Sequence, residues 1–355
     1  MGQNRLNSGN QGWRGVIIIR VSGVRVPPPA SVAPHPATPL LAVPNVSEGR
    51  DPTTVRAISR AFAASGGDEG EGGGEVRLLD VHCDADHHRS VYTLAGSPGA
   101  LVDALLTGAG EAVSRIDVLA GAAISESRGE HPYVGALDVA PIVYLDTESR
   151  GAAIAQALVL ADRIGEELAV PVFLYGELAG GRTRAQLRSG GIAGLAERLA
   201  SGELRPDFGP PRLHPSAGAT LVCARAPLVA FNLQLAPPAT VDDARRIASE
   251  IREGAADGLP GLRAIGVQLS GGLAQVSMNV ERPFDLPLAL VIERVRAHAA
   301  VCSGELVGLA PSAALTDFPQ DVPLPGFDPS THVLERALGL EQPLSDPGRE
   351  QDGGA

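Results

Sequence analysis

Apolar residues recur from Leu40 onward with two alternating periods, which divide the chain into strands and helices. Residues 40–46 read as a short strand. Asp51 then offers a helix N-cap, Pro52 suits the first helical position, and Val55, Ile58, Ala61 and Phe62 make one apolar face. A Gly/Glu-rich loop over 66–75 follows, with strands over 76–81 and 90–95. Ser97 is the expected cap of a helix lined by Leu101, Ala104 and Leu105 and weakened at Gly108 and Gly110. A strand near 116–119 would close this first unit. Next come a strand over 138–145, a helix over 149–168 with Ile154, Leu158, Ala161, Ile164 and Leu168 inward, and a continuously apolar strand over 170–175. Residues 176–218 are rich in Gly, Pro and Arg and read as loops around a small helix near 193–200.

The last third is the most regular. A strand over 228–235 precedes a helix opened by Thr240, with Ala244, Ile247, Ala248 and Ile251 inward. Strands over 262–269 and 273–280 meet at Ser270-Gly271-Gly272, a hairpin signal. Asp285 and Pro287 start a helix with Leu288, Val291, Ile292 and Val295 inward, and a strand over 305–309 ends the series. The order β-α-β-β-α-β is the split βαβ arrangement of ferredoxin-like folds, and residues 40–119 give it less cleanly. The fold class expected is therefore α+β, two tandem ferredoxin-like (βαββαβ) α/β sandwich domains at 40–222 and 223–322. Each sheet would leave one face open, so a partner surface is expected between the units or between subunits.

Composition adjusts this picture only at the ends. Residues 1–39 run from a polar segment into a Pro/Ala-rich tether that cannot bury enough surface to offset its ordering entropy. They read as an over-extended start or a flexible appendage, and 323–355 as a Pro/Gly-rich tail, disordered from about Ser345. Arg20 and Arg25 interrupt the apolar stretch near the N-terminus, unlike a secretory signal. There is no run of about 18 apolar residues, so no membrane span is expected. The 355 residues carry a formal charge of −12 and only 3% aromatics, which argues against nucleic-acid binding. Cys83, Cys223 and Cys302 lie far apart and fit a reducing, cytoplasmic setting.

Three polar clusters stand out. His82-Cys83-Asp84-Ala85-Asp86-His87-His88-Arg89 holds metal-ligand types, but in one loop between two strands. With no second cluster to complete a coordination shell, a substrate-facing loop is the preferred reading, no metal is expected, and His87 is expected at the surface. Gly129-Glu130-His131-Pro132 places a histidine beside an acid on a stiff loop, which suits general acid/base work. Pro206-Asp207-Phe208-Gly209-Pro210-Pro211-Arg212-Leu213-His214-Pro215 is a stiff loop suited to a flat heterocycle with an anionic tail, or else a linker. Arg182, Arg184 and Arg188 could meet carboxylates, or be solvated helix charges. Dinucleotide, P-loop, hydrolase-elbow and zincin motifs are absent from the sequence.

These residues carry a family resemblance. Val43-Pro44-Asn45-Val46-Ser47-Glu48-Gly49-Arg50 resembles the opening signature of glutamate formimidoyltransferases. Arg89-Ser90-Val91-Tyr92-Thr93, Gly129-Glu130-His131-Pro132, Gly135-Ala136-Leu137-Asp138-Val139, Val172-Phe173-Leu174-Tyr175-Gly176-Glu177, Pro206-Asp207-Phe208-Gly209-Pro210, Gln275-Val276-Ser277-Met278-Asn279 and Glu305-Leu306-Val307-Gly308-Leu309 continue it in order. The resemblance implies a homodimer of two-subdomain chains that moves a formimino group from N-formimino-L-glutamate to tetrahydrofolate, the co-substrate. It implies His131 as general acid/base, with Asp80, His82, His88, Arg89, Glu130 and Tyr133 toward the glutamate substrate. Gly209, Pro210, Arg212, His214, Ser216 and Gly218 match the folate-contacting loop. The chain departs from the family at Tyr133, where arginine is usual, at His82, where some members have an acid, and at His88, where asparagine is frequent. Formyl transfer with 5-formyl-tetrahydrofolate or formylglutamate is therefore a rival expectation, as is a non-catalytic folate-binding homologue. The residues after Ala314 are too few for a cyclodeaminase domain, so a later step would fall to another protein.

Overall fold

Pro44 has no amide hydrogen to give to a ladder, and the first predicted strand is split around it into β1 (Leu40–Ala42) and β2 (Asn45–Val46). The computed structural model describes residues 39–64, 76–122 and 132–348. The loop predicted over 66–75, residues 1–38 and the last residues of the predicted tail lie outside that set. Helix α1 (Pro52–Ala63) starts as its cap requires, with Asp51 accepting from the amides of Thr53 and Thr54. The hairpin of β3 (Arg77–Asp84) and β4 (Arg89–Gly96) sets Asp84 opposite Arg89.

Helix α2 (Ala100–Arg115) runs unbroken through Gly108 and Gly110, and its cap is Gly99 rather than Ser97. Gly108 is a contact point and not a weakness. A Cβ there would stand 2.1 Å from Cδ1 of Phe62, so the missing side chain lets α1 and α2 close on each other. Where a closing strand is predicted near 116–119, the chain forms α3 (Val118–Ala122) instead. Asp117 is the cause: its Oδ1 accepts from the amides of Leu119 and Ala120 and turns the segment into a helical start. The fourth strand is β5 (Leu137–Val143), antiparallel to β1 and β2.

The order β3–β4–β1/β2–β5 is the ferredoxin-like sheet, with α1 and α2 packed on one face. It is then extended. Helix α4 (Arg150–Glu167), β6 (Val172–Leu174), α5 (Arg184–Leu187), α6 (Gly191–Ser201) and β7 (Thr220–Arg225) follow. Strand β7 lies parallel beside β5, and β6 parallel beside β7, making seven strands among the described residues. Strand β7 was not predicted. It also crosses residue 222, where the sequence places the domain boundary.

The second half follows its prediction closely. Strand β8 (Val229–Leu235), α7 (Val241–Ile251), β9 (Leu262–Gln268), β10 (Ala274–Val280), α8 (Leu288–Arg296) and β11 (Val301–Val307) form an antiparallel sheet of order β11–β8–β10–β9. Thr240 and Asp243 make a reciprocal capping box at the start of α7. Phe231, Leu233, Ile247, Val276 and Ile292 are fully buried in this core. The predicted tail is partly structured: α9 (Pro329–His332) and α10 (Leu334–Leu338) fold back, and Leu334 packs with Leu41, Ala95 and Val143 on the first sheet. Glu335 is buried and accepts from the amide and hydroxyl of Ser312 at 2.9 and 2.8 Å. Among the described residues no helix is long and apolar enough to cross a membrane.

Candidate active site

The open faces of the two sheets confront each other across a cavity of about 880 Å³, a size that suits a small-molecule site. Strand alternation decides which side chains enter it. On β3, His82 and Asp84 are two residues apart and share the inward face; Asn232 and Ser277 enter from the opposite sheet. His82 Nε2 lies 3.2 Å from Glu305 Oε1, and Glu305 Oε2 accepts from Asn232 Nδ2 at 2.8 Å. Asp84 Oδ1 accepts from the His87 amide at 2.8 Å. Ligand atoms of His82, Asp84 and Glu305 lie within 4.8 Å of one another, in a set of types that can hold a divalent cation. Glu305, far away in sequence, supplies the third group.

Burial opposes charging His82, but the contact with Glu305 and the charges of Asp80 and Asp84 outweigh it and hold the imidazole above its ordinary value. Burial likewise disfavours the Glu305 carboxylate, yet His82 and Asn232 bring it below its usual range. His87, expected at the surface, is only 5% exposed and sits in the cavity wall with Nε2 2.9 Å from Gln275 Oε1. Asp86 Oδ1 accepts from the Ser270 amide at 3.1 Å. The β3–β4 turn is thus a bridge to the second sheet.

Arg89 also lines the cavity, held by Asp138 on β5. Asp138 is fully buried; its Oδ1 accepts from the Val134 amide at 2.8 Å, and its Oδ2 from Arg89 Nη2 at 3.3 Å and from Arg188 Nη2. Arg89 Nη2 also donates to the Pro132 carbonyl at 3.3 Å. Burial, against the charge of Asp138, brings Arg89 to about 10, still a cation at neutral pH.

Other expected residues stand apart from the cavity wall. His88 adopts φ 47° and turns toward the Glu48-Gly49 segment: its Nδ1 accepts from the Gly49 amide at 3.3 Å and lies 3.5 Å from Glu48. Burial holds His88 below its ordinary value. Tyr133 packs against the core of the first half. Asp80 is half-buried, its Oδ2 has no hydrogen-bond partner, and burial raises its carboxyl. Glu130 and His131 lie outside the described residues; Pro132, the next residue, lines the cavity.

The six residues matched to the folate loop form no part of that wall either. Gly209 stands against Gly165 and Val170, and the far end of the loop, at 217–219, meets the 132–136 segment. Ala136 N donates to Ala217 O and Ala219 N to Val134 O, each at 2.9 Å. Gly218 makes this lacing possible: it sits at φ 71°, and a Cβ there would clash with Val134 O at 2.3 Å. His214 Nδ1 accepts from the Ala217 amide at 3.0 Å, Gly209, Pro210 and Ser216 continue the loop, and Arg212 is exposed. Sequence reasoning did not single out Asn232, which lines the cavity, nor Gln275 and Glu305, which contact the lining residues His87 and His82. Their signal was present: Gln275, Ser277 and Asn279 alternate with apolar Val276 and Met278, which marks a polar sheet face.

Comparison with known proteins gives this cleft its setting. Residues 40–225 match the formiminotransferase domain, N-terminal subdomain. The chain is 34% identical over 306 residues to a glutamate formimidoyltransferase of Streptococcus pyogenes serotype M1, covering 83% of this chain and 97% of that one. It is 35% identical over 309 residues to a glutamate formimidoyltransferase of Thermoplasma acidophilum, covering 83% and 96%. To a formimidoyltransferase-cyclodeaminase of Gallus gallus it is 38% identical over 289 residues, covering 78% of this chain and 50% of that one, so it spans about half the length of that relative. Two ferredoxin-like halves around a polar cleft, together with these relatives, define an enzyme of the transferase class. The chain belongs to the formiminotransferase family.

Proposed function

We propose that the protein transfers a formimino group from N-formimino-L-glutamate to tetrahydrofolate in the cleft between its two halves. Beyond family membership, the observation that carries this reading is the pair of arginines held on buried Asp138 in the cleft wall. It supplies the cationic surface a glutamate donor needs, although Tyr133 stands where the family usually has an arginine. That surface also favours an enzyme over a non-catalytic binding homologue.

His131 is assigned as general acid/base. It takes the proton released at the attacking nitrogen and returns it to the glutamate nitrogen as that leaves, so the cycle consumes no proton overall. The cleft holds donor and acceptor together, and orientation supplies much of the acceleration. Arg89 and His82 face the donor, and Asp80 and Glu130 are assigned to the same substrate; His88 and Tyr133 are assigned to bracing the loops. Gly209, Pro210, Arg212, His214, Ser216 and Gly218 are assigned to the acceptor, because their loop is laced to the segment that follows His131. No step of this chemistry calls for a metal. A cytoplasmic homodimer completes the reading.

The test is a mass-spectrometric search for folate products after incubating the protein with tetrahydrofolate and either N-formimino-L-glutamate or N-formyl-L-glutamate. A 5-formimino product from the first donor supports the proposal. A product from the formyl donor alone, or none from either, overturns it.

A further inference from the structure

Arg188 is built into the wall of the cleft and left incomplete. It closes α5, where its amide donates to Arg184 O at 2.9 Å, below a Thr183–Gln186 capping box that fixes the start of this short turn. Its side chain is only 11% exposed and lines the cavity. One amine group of its guanidinium meets Asp138 Oδ2, but its Nε is buried with no hydrogen-bond partner among the described residues. A buried donor without an acceptor is costly, and such orphans in a cleft mark the place of a missing ligand atom. The charge balance points the same way. Arg89 and Arg188 share the single carboxylate of Asp138, which spends its other oxygen on the Val134 amide. Arg184 adds a further positive charge beside Arg89 and Asp84 a weaker negative one, so this buried wall favours an anion in the cavity.

We propose that Arg188, set beside Arg89 by Asp138, is the receptor for a carboxylate of a glutamate-type donor, with Asp138 as the residue that positions both guanidiniums. The inference rests on the reaction proposed above and adds the residues that select the donor. A guanidinium offers its Nε and Nη hydrogens as a fork that matches the two oxygens of a carboxylate. The donor's α-carboxylate is attached to the carbon that bears the departing nitrogen, so its receptor must lie close to the reacting centre. The other contact of Arg89 is the carbonyl of Pro132, one residue beyond His131 in the chain. The carboxylates of a folate tail lie far from its N5, beyond an aromatic ring, and fit this place poorly.

Calorimetric binding of L-glutamate, and separately of tetrahydrofolate, to the wild type, Arg188→Met and Arg188→Lys tests the assignment without requiring turnover. Arg188→Met should weaken L-glutamate by about 10- to 100-fold, the range for losing hydrogen bonds to a charged group. Arg188→Lys should recover only part of this, since a point charge cannot reproduce the fork. Tetrahydrofolate affinity should stay within about twofold, and in steady state the KM for the donor should rise with little change in kcat. Circular dichroism of the variants guards against misfolding. Unchanged L-glutamate binding in folded Arg188→Met would overturn the proposal. So would weakened folate binding with L-glutamate binding preserved. Wild-type binding of L-glutamate that depends on Arg188, without any folate product, would keep the receptor and discard the proposed reaction.

Discussion

At Gly135 a Cβ would stand 1.8 Å from the carbonyl oxygen of Ala219 and 2.9 Å from that of Ala217. Both are backbone atoms fixed by the lacing between the 132–136 segment and the 217–219 loop, so neither can swing aside. Gly135→Ala must force the two strands of chain apart. It should cost about 1–3 kcal/mol, as overpacking does, and lower the urea midpoint accordingly. Because the displaced segment leads from His131, activity should fall more than stability alone explains; full kcat in the folded variant would contradict this. At this scale the motifs singled out His82 and Arg89 as candidates, while Asp138 appeared only inside a motif and was given no role. What they could not show was pairing. His87 and Gln275 are 188 residues apart, and only the docking of two sheets buries the histidine and turns it inward.

Elements with their own start signals were legible: Asp51 before α1 and Thr240 before α7 fold as the sequence prescribes. Thr240→Ala removes one side of the α7 capping box and should cost about 1 kcal/mol, seen as a lower urea midpoint, with turnover unchanged. The second half was legible because its helices are strongly amphipathic and its strands alternate, although its last strand spans Val301–Val307 where 305–309 was expected. Two of the misreadings in the first half have identifiable reasons. Ile116, Val118 and Leu119 look like a buried strand by composition, but the Asp117 carboxylate captures two amides and starts a turn of helix. Strand β7 is buried along nearly its whole length, so it shows no alternation, and it follows a Pro/Gly-rich loop that suggested a linker.

At the scale of the molecule, the β3–β4 turn reaches the second sheet, and His82 on β3 meets Glu305 on β11 beside it at 3.2 Å. The folded-state value of His82 is raised above the ordinary 6.5, so its contribution is complete below 6.5 and is lost as pH rises through that raised value. Glu305 is depressed below 4.5, so its contribution is present above 4.5 and is lost as pH falls through the depressed value. Asp80 and Asp84 also face His82 and reinforce the upward shift. The pair therefore holds best on the mildly acidic side of neutrality. The difference in Tm between wild type and His82→Gln should be largest between the ordinary values of the two groups and shrink as pH rises through the raised value of His82; a difference independent of pH would show that the tie is not ionic.

The most direct measurement of the whole account pairs turnover with folate binding in His131→Ala, using N-formimino-L-glutamate as donor. Proton transfer by a positioned histidine predicts a loss of about 10²- to 10⁴-fold in kcat, with tetrahydrofolate affinity essentially retained. Turnover that survives the substitution would contradict the proton shuttle, and with it the place assigned to the reaction.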